Sequence, residues 1–496
     1  MRSINSRMFD APHSHVLASI AAHATSAPDK VALVDNDARV TYSQLVARVE
    51  NAAGLLQAMG LHHGDRIMLA ANKEADFIYL YLAAHLLGIV NVVVDPSAPA
   101  DRLNYITSIT RPAAAFGNTV NPIDGIRAIA FGDLDLDNKE SLSLPLPSLQ
   151  SSDVADIMFT TGTTGRPKGV CLTHDNIAGS ACNTNGFIGT KSSDIEALAL
   201  PLSHSFGLGR LRCVLIAGAT LVLVGNFANL KTFFTVLDTE KVTGFGMVPA
   251  VWQYIKRLSG NRIARFAGQL RYIEIGSAAL PIEDKRLLME LFPNTRICMH
   301  YGLTEASRAM FTEFHQSQDH LDAIGRPASQ LVEACVLDEQ GGAVPDGADG
   351  EICVRGNIVT HTYFLPQDND EAFYGDWFRT GDWGHRGHDG LFYLTGRKKE
   401  LINVGGEKVS PDAIEEAIKS LGIADCACVG VPDPKGVLGE VPKAFLVKGD
   451  CPMDFEEIKS NMLTKLPPHE VPVEWAWVDA IPRTSSGKIQ RLKLKQ

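Results

Sequence analysis

The sequence predicts a multidomain α/β protein with a small β-barrel subdomain, organised as a large N-terminal domain and a small, mobile α+β C-terminal domain. Three observations predict it. The chain has 496 residues, too many for one compact core. Helical and strand-like patterns alternate through the N-terminal part, as in a parallel or mixed sheet covered on both faces. From about Ala323 the texture changes to short strand-like runs separated by Gly, Asp and Pro turns.

The elements follow in order. Tyr42 to Gly60 places Leu45, Val49, Ala52, Leu55 and Leu56 at helical spacing and ends on a glycine suited to a C-cap. Arg66 to Ala71 reads as a short buried strand, Ala75 to Leu87 as a helix, and Val90 to Val94 as a strand closed by Asp95-Pro96. The pattern recurs as helix Leu208 to Ala217 with strand Ala219 to Val224, then helix Leu230 to Leu237 with strand Val242 to Met247. Glu333 to Leu337 and Gly350 to Val354 are strand-like runs of the barrel segment. Helix and strand return with Pro411 to Ser420 and Cys426 to Val431. These changes divide the chain into residues 1–394, a hinge at 395–399, and residues 400–496. A ligand site is expected where two such domains meet.

Composition narrows the classes. With 45% hydrophobic and 21% charged residues the chain is an ordinary globular protein, neither disordered nor a disulfide scaffold. The net charge of -11, with scattered Lys and Arg, argues against a general nucleic-acid or anionic-membrane binder. The apolar run Tyr79 to Val94 is interrupted by His85, Gly88 and Asn91 and falls short of the about 20 residues a bilayer span needs. Nine cysteines without a C-x-x-C pair fit a reduced cytoplasmic setting.

The strongest chemical signal is Phe159-Thr160-Thr161-Gly162-Thr163-Thr164-Gly165-Arg166-Pro167-Lys168-Gly169-Val170. Small residues let backbone N–H groups converge on an anion, threonine hydroxyls add donors, and Lys168 supplies positive charge. Such a loop suits a polyphosphate. It is not a Walker A loop, because Gly169 rather than Ser or Thr follows the lysine.

This stretch resembles the phosphate-loop signature of the adenylate-forming superfamily, which includes acyl-CoA synthetases, luciferases and nonribosomal adenylation domains. The resemblance continues in the family's order. Leu200-Pro201-Leu202-Ser203-His204-Ser205-Phe206-Gly207-Leu208 is similar to the substrate-pocket motif, and Gly276-Ser277-Ala278-Ala279-Leu280-Pro281 to the adenine-side loop. Tyr301-Gly302-Leu303-Thr304-Glu305 follows, then Tyr374 to Asp382, Gly396 to Ile402, and Pro482-Arg483-Thr484-Ser485-Ser486-Gly487-Lys488-Ile489.

The resemblance implies a role for each position. ATP would be held by Thr160, Thr161, Gly162, Thr163, Thr164 and Lys168, by Gly276, Ser277 and Ala278, by Tyr301, Gly302 and Thr304, and by Asp382 and Arg397. Tyr301 offers a flat face to adenine, and Asp382 can accept from both ribose hydroxyls. Glu305 is a hard oxygen ligand suited to Mg²⁺. His204, Phe206 and Gly276 would border the acyl pocket. Lys488, with His204 and Thr304, would be catalytic, since a carboxylate must meet an anionic α-phosphate and an ammonium group stabilises that encounter. Lys399 would be the hinge about which the C-terminal domain swings. Gly405, Gly406 and Lys408 would line the thiol path. Lys398, Lys435 and Lys443 could meet a phosphopantetheine carrier or simply face solvent.

The implied function is an ATP-dependent acid–thiol ligase. A carboxylic acid and ATP give acyl-AMP and pyrophosphate, and the acyl group then passes to CoA. One alternative is a stand-alone ligase loading the phosphopantetheine of an acyl carrier protein; another is an inert nucleotide-binding protein, against which Lys488, Glu305 and Lys168 all argue. Amino-acid activation is disfavoured because the pocket motif lacks the aspartate that would bind an α-ammonium. An aromatic or short-to-medium aliphatic acid is favoured. The segment Gly405-Gly406-Glu407-Lys408 departs from plant-type aromatic-acid ligases, which carry glutamine at the position of Lys408.

Overall fold

The computed structural model describes residues 10, 15–119, 126, 128–136, 146–160, 166–405, 407–449, 453–483 and 489–495. The chain forms two compact units, Met1–Ala334 with Val354–Phe378, and Cys335–Cys353 with Arg379–Gln496.

The first unit contains two large sheets. One has the order β14 (Met310–Glu313), β13 (Arg296–Tyr301), β12 (Tyr272–Ile275), β11 (Gly244–Met247), β9 (Ile195–Leu198), β10 (Thr220–Leu223), β1 (Val31–Asp35), β2 (Ala38–Thr41). Its inner strands are parallel, and both edge strands run antiparallel to their neighbours. The other has the order β17 (Thr362–Tyr363), β8 (Lys168–Thr173), β7 (Val154–Thr160), β4 (Val90–Val94), β3 (Arg66–Ala70), β5 (Ala114–Phe116), β6 (Ala128–Ile129). Here β8 and β17 are antiparallel additions to a parallel set.

Helices α1 (Val16–Ser26), α2 (Tyr42–Ala58), α3 (Ala75–Leu87), α4 (Ala100–Thr110), α5 (His174–Ile188) and α6 (Ser205–Ala217) intervene, and α7 (Leu230–Thr239), α8 (Pro249–Ser259) and α9 (Ile282–Leu291) join successive strands from β10 to β13. Helix α2 begins with a capping box in which Thr41 and Gln44 satisfy each other's backbone N–H groups. Helix α3 is buried from Phe77 to Leu87 on every face, so its sequence shows apolar density rather than a stripe. It ends at Gly88 with φ +67°, a left-handed cap that a Cβ would strain. Tyr79 to Val94 is therefore a buried helix running into β4, as the sequence implies, and no helix among the described residues is long and apolar enough to cross a membrane.

Helix α6 ties the two sheets together. Arg210 and Arg212 are two positions apart, about 200° around the helix, and both are buried. Arg210 turns to the first sheet, donating from Nε to Glu196 on β9 at 2.7 Å and lying 3.1 Å from Glu274 on β12. Arg212 turns to the second, pairing with Asp156 on β7 and donating to the Tyr81 hydroxyl at 2.9 Å. Tyr81 and His85 of α3 complete the shell of Asp156, at 2.9 and 3.0 Å. Burial alone would raise the Asp156 carboxyl, but Arg212 and His85 outweigh it and hold the group below its usual range. Beyond His85 the rings of His174 and His15 follow, with centroids 5.1 Å and then 4.8 Å apart.

A third sheet orders β15 (Glu333–Leu337), β16 (Gly350–Arg355), β19 (Trp377–Arg386) and β18 (Phe373–Tyr374), with β20 (Phe392–Arg397) paired to β19. These are the short β-runs expected after Ala323. In the second unit, β21 (Ile402–Val404) and β22 (Glu407–Val409) form a hairpin, while β23 (Cys426–Pro432), β24 (Glu440–Val447) and β25 (Glu474–Val478) form a small sheet. Helices α10 (Pro411–Lys419) and α11 (Phe455–Met462) pack on its core through Ile414, Ile418, Ile458 and Met462. Arg491 is buried in this unit, 3.0 Å from Glu400, 3.1 Å from Glu415 and paired with Asp412. Burial pushes the Glu415 carboxyl up to about 7 even so.

The histidine row has a thermodynamic consequence. Burial, reinforced by His85 and His15, holds His174 well below its ordinary value of 6.5. The unfolded chain then binds more protons than the folded chain just below that value, so stability is full above about pH 6.5 and falls as the pH drops. Urea midpoints should decline from pH 7 to pH 5, and His174→Phe should flatten that decline; an unchanged slope in the variant would assign it to other groups.

Candidate functional site

The motifs of the first unit emerge at the carboxyl ends of neighbouring parallel strands. Pro201 to Phe206 follows β9, Gly276 to Ala278 follows β12, and Gly302 to Glu305 follows β13, which ends on Tyr301. Ligands of open α/β sheets bind at this edge. The phosphate-loop motif instead spans the turn of the β7–β8 hairpin, where Thr160 pairs with Lys168. Thr161, Gly162, Thr163 and Thr164 lie outside the described residues, so the loop is read from its two ends.

The second of those ends is linked to Glu305 through Tyr363. The Lys168 ammonium lies 5.0 Å over the Tyr363 ring and 4.0 Å from Asp368. Arg166 donates to the same Asp368 at 3.1 Å. The Tyr363 hydroxyl donates to Oε1 of Glu305 at 2.7 Å. Burial and the Glu305 charge raise that phenol far above its ordinary range, so it remains a donor. Glu305 Oε2 is neither sealed from solvent nor bonded among the described residues. A carboxylate held by one oxygen and open at the other fits Mg²⁺, which keeps waters and phosphate oxygens in its shell rather than needing a protein cage. Among the described residues no group of three or more His, Cys, Asp or Glu side chains could hold a metal by itself.

Phe206 is buried in the first turn of α6, its ring edge-on to His300 with centroids 4.6 Å apart. Arg308 donates to the Phe206 carbonyl at 2.9 Å and lies 5.1 Å over its ring. Glu274, fully buried on β12, accepts from Arg308 Nε at 2.8 Å and lies 3.1 Å from Arg210 and 2.7 Å from His300 Nδ1. Burial would raise the Glu274 carboxyl, but the two arginines and His300 drive it far below the usual range. A Cβ at Gly276 would run into the His300 ring, and one at Gly302 into the backbone of Arg308, so both glycines are steric requirements. Ser277 has φ +75° and Arg308 φ +60°, left-handed conformations that cost a side-chain-bearing residue about 1–2 kcal/mol. His204 is exposed at the N-cap of α6. Thr304, Tyr301 and Thr160 are half-buried, while Gly302 and Ala278 are exposed.

In the second unit Asp382 and Arg397 face each other across β19 and β20, with Arg397 Nε 2.7 Å from Asp382 Oδ1. Asp382 is buried, and Arg397 also donates to the Thr380 carbonyl at 3.2 Å. Lys399 is exposed in the turn after β20. Lys398 is 3.0 Å from Glu351 and Lys443 3.0 Å from Glu474, whereas Lys435 is exposed. Gly405 has φ +64° and donates to the Leu438 carbonyl at 2.8 Å; Lys408 pairs through its backbone with Asn403. Gly406 and Lys488 lie outside the described residues.

Sequence reasoning missed Tyr363, Asp368, Glu274, His300 and Arg308. Tyr363 lies in, and Asp368 just after, a two-residue strand whose pairing with β8 no local pattern announces. Glu274 is a lone acid within the apolar strand Tyr272–Ile275, a pattern that could have flagged a buried partner.

Comparison with known proteins places these residues in context. The profile of the AMP-binding enzyme family matches residues 20–364, and that of the AMP-binding enzyme C-terminal domain matches residues 413–488. A 2-succinylbenzoate–CoA ligase of Bacillus licheniformis is 30% identical, covering 94% of this chain and 97% of its own. An o-succinylbenzoate CoA synthetase of Bacillus subtilis, solved with its acyl-adenylate intermediate, superposes with a TM-score of 0.88 at 26% identity, over 96% of this chain and 98% of that one. The same synthetase with ATP and magnesium superposes with a TM-score of 0.85 at 25% identity, over 96% and 99% of the two chains.

The buried ion cluster yields a stability prediction. Glu274→Gln leaves Arg308 buried without its counter-charge and removes one of the two carboxylates beside Arg210, so unfolding free energy should fall by about 3–5 kcal/mol. Denaturant titration checks this, and a loss below about 1 kcal/mol would mean that the cluster contributes little.

Proposed function

This chain belongs to the AMP-binding enzyme family, and on that premise we propose that it is an AMP-forming acid–CoA ligase whose ATP and acid sites are built from the residues described above. The observation that carries the reading is the convergence of Lys168, Tyr363 and Glu305 at the foot of the phosphate-loop hairpin. Lys168 meets phosphate charge, and Tyr363 fixes Glu305 so that its second oxygen stays available. Magnesium held at Glu305 would neutralise phosphate charge as the bond to the leaving group breaks. Tyr301 and the loop from Gly276 to Ala278 are assigned to the base, and Asp382 to the ribose. His204, exposed at the N-cap of α6, is assigned to the meeting point of acid and nucleotide.

In the first step a carboxylate oxygen of the acid attacks the α-phosphorus, the bond to pyrophosphate breaks, and acyl-AMP remains. Lys488 and Thr304 are the groups assigned to stabilise charge on the α-phosphate. In the second step a thiol sulfur attacks the acyl carbon, the C–O bond to AMP breaks, and the thiol proton passes to solvent. The path past Gly405, Gly406 and Lys408 is assigned to that thiol, and Lys399 to the hinge that exchanges the steps. CoA is favoured over a carrier protein because the relatives are named as CoA ligases. The acid is read as aromatic or short-to-medium aliphatic, and the working compartment as the cytoplasm.

Exchange of labelled pyrophosphate into ATP, run with Mg²⁺ and a panel of acids, tests the first step. Lys488→Ala should lower it by about 10²-fold or more; undiminished exchange would remove Lys488 from the mechanism. Offering CoA and a holo carrier protein in parallel tests the second step, and thioester formation on the carrier alone would overturn the CoA assignment.

A further inference from the structure

His300 carries an unused acceptor. It is buried at the carboxyl end of β13, immediately before Tyr301, and is 9% exposed. Nδ1 is sealed from solvent and lies 2.7 Å from the carboxylate of Glu274, a close charge contact without the alignment of a good hydrogen bond. Nε2 is not among the sealed atoms and makes no hydrogen bond among the described residues. The Cε1–Nε2 edge lies against Gly276, filling the space a Cβ would need, and Phe206 packs edge-on to the same ring. Gly246 packs closely against Phe206 on another side, since a Cβ there would come within 3.2 Å of that ring. The free edge of His300 therefore belongs to the surface assigned above to the acyl pocket.

The charges around the ring fix its proton. Glu196 and Glu274 are matched by Arg210 and Arg308, so the cluster is balanced with a neutral imidazole. Burial lowers the basicity of His300, with Glu274 only partly opposing it. A carboxylate against Nδ1 places the single proton there, which leaves Nε2 as a lone-pair acceptor. No donor among the described residues satisfies it, and a largely buried acceptor without a partner rewards a ligand that brings a donor.

We propose that His300 is a specificity-determining residue of this ligase and that its Nε2 accepts a hydrogen bond from a hydroxyl on the tail of the acid, so that the substrate class is hydroxylated acids. The inference rests on the assignment of Phe206 and Gly276 to the acyl pocket. Glu274 acts as a positioning residue, holding the ring by Nδ1 and setting its tautomer. A hydroxyl-bearing acid keeps its donor paired when it leaves water; the deoxy acid leaves Nε2 stripped of water with nothing in return.

The test measures acid-dependent pyrophosphate release with matched pairs: 4-hydroxycinnamate and cinnamate, 4-hydroxybenzoate and benzoate, 6-hydroxyhexanoate and hexanoate. The wild-type chain should favour the hydroxylated member of at least one pair by about 10-fold or more in kcat/KM. His300→Phe keeps a flat ring without the acceptor and should bring the ratio near one, while His300→Gln, which offers an amide oxygen, should retain part of it. The ratio is taken on one preparation, so partial unfolding cancels, and the wild-type ratio decides by itself if neither variant folds. Turnover without discrimination, turnover of unhydroxylated acids alone, or an unchanged ratio in His300→Phe overturns this inference and leaves the ligase reading standing. Release from no acid at all overturns both.

Discussion

The first unit depends on helix α6 and the two arginines it buries on opposite sides. An unpaired guanidinium in such surroundings would cost several kcal/mol, so each is tolerated only where a carboxylate waits for it. Arg210 finds Glu196 and Glu274 on strands of one sheet, and Arg212 finds Asp156 on a strand of the other. Apolar contacts would permit small slippage between the sheets; charge pairs at these distances do not. The same helix begins at the substrate-pocket motif, and β7, which carries Asp156, runs directly into the phosphate-loop hairpin. One strut therefore fixes the start of α6 relative to the strand that leads into the phosphate-loop motif.

Much of this fold was legible because periodicity and punctuation agreed. Ala75 to Leu87 and Val90 to Val94 have the bounds their sequence suggests, with Gly88 marking the change. Ends were less legible where capping decided them: α2 stops at Ala58, two residues before Gly60, and α6 starts at Ser205 rather than Leu208. The β-segment after Ala323 was readable as short strands, but strand order depends on pairings distant in sequence, which no local pattern carries.

The site divides in the same way. Motifs with several small or charged residues in a fixed order, such as Thr160 to Val170, could be read from sequence alone. Single residues that act through packing could not. Glu274 and His300 each look like an isolated polar residue in an apolar strand, and only the fold brings them to 2.7 Å with two arginines beside them. Tyr363 is recognisable only once β17 has paired with β8 and set its hydroxyl against Glu305. The strain at Ser277 and Arg308 is likewise invisible in sequence, yet it lies in two of the segments proposed to border the base and the acid.

The chain end is moored unequally. Before residue 484 the anchor is Arg483 with Asp425, both about one-third exposed, together with a backbone bridge from Arg483 to Ile489. After residue 488 it is Arg491, nearly enclosed by Glu400, Asp412 and Glu415. Mobile ions shield the first pair readily and reach the second poorly. Rising ionic strength should thus weaken the Arg483–Asp425 pair while the cluster around Arg491 persists, so that two ion pairs close together in sequence answer differently to the same electrolyte.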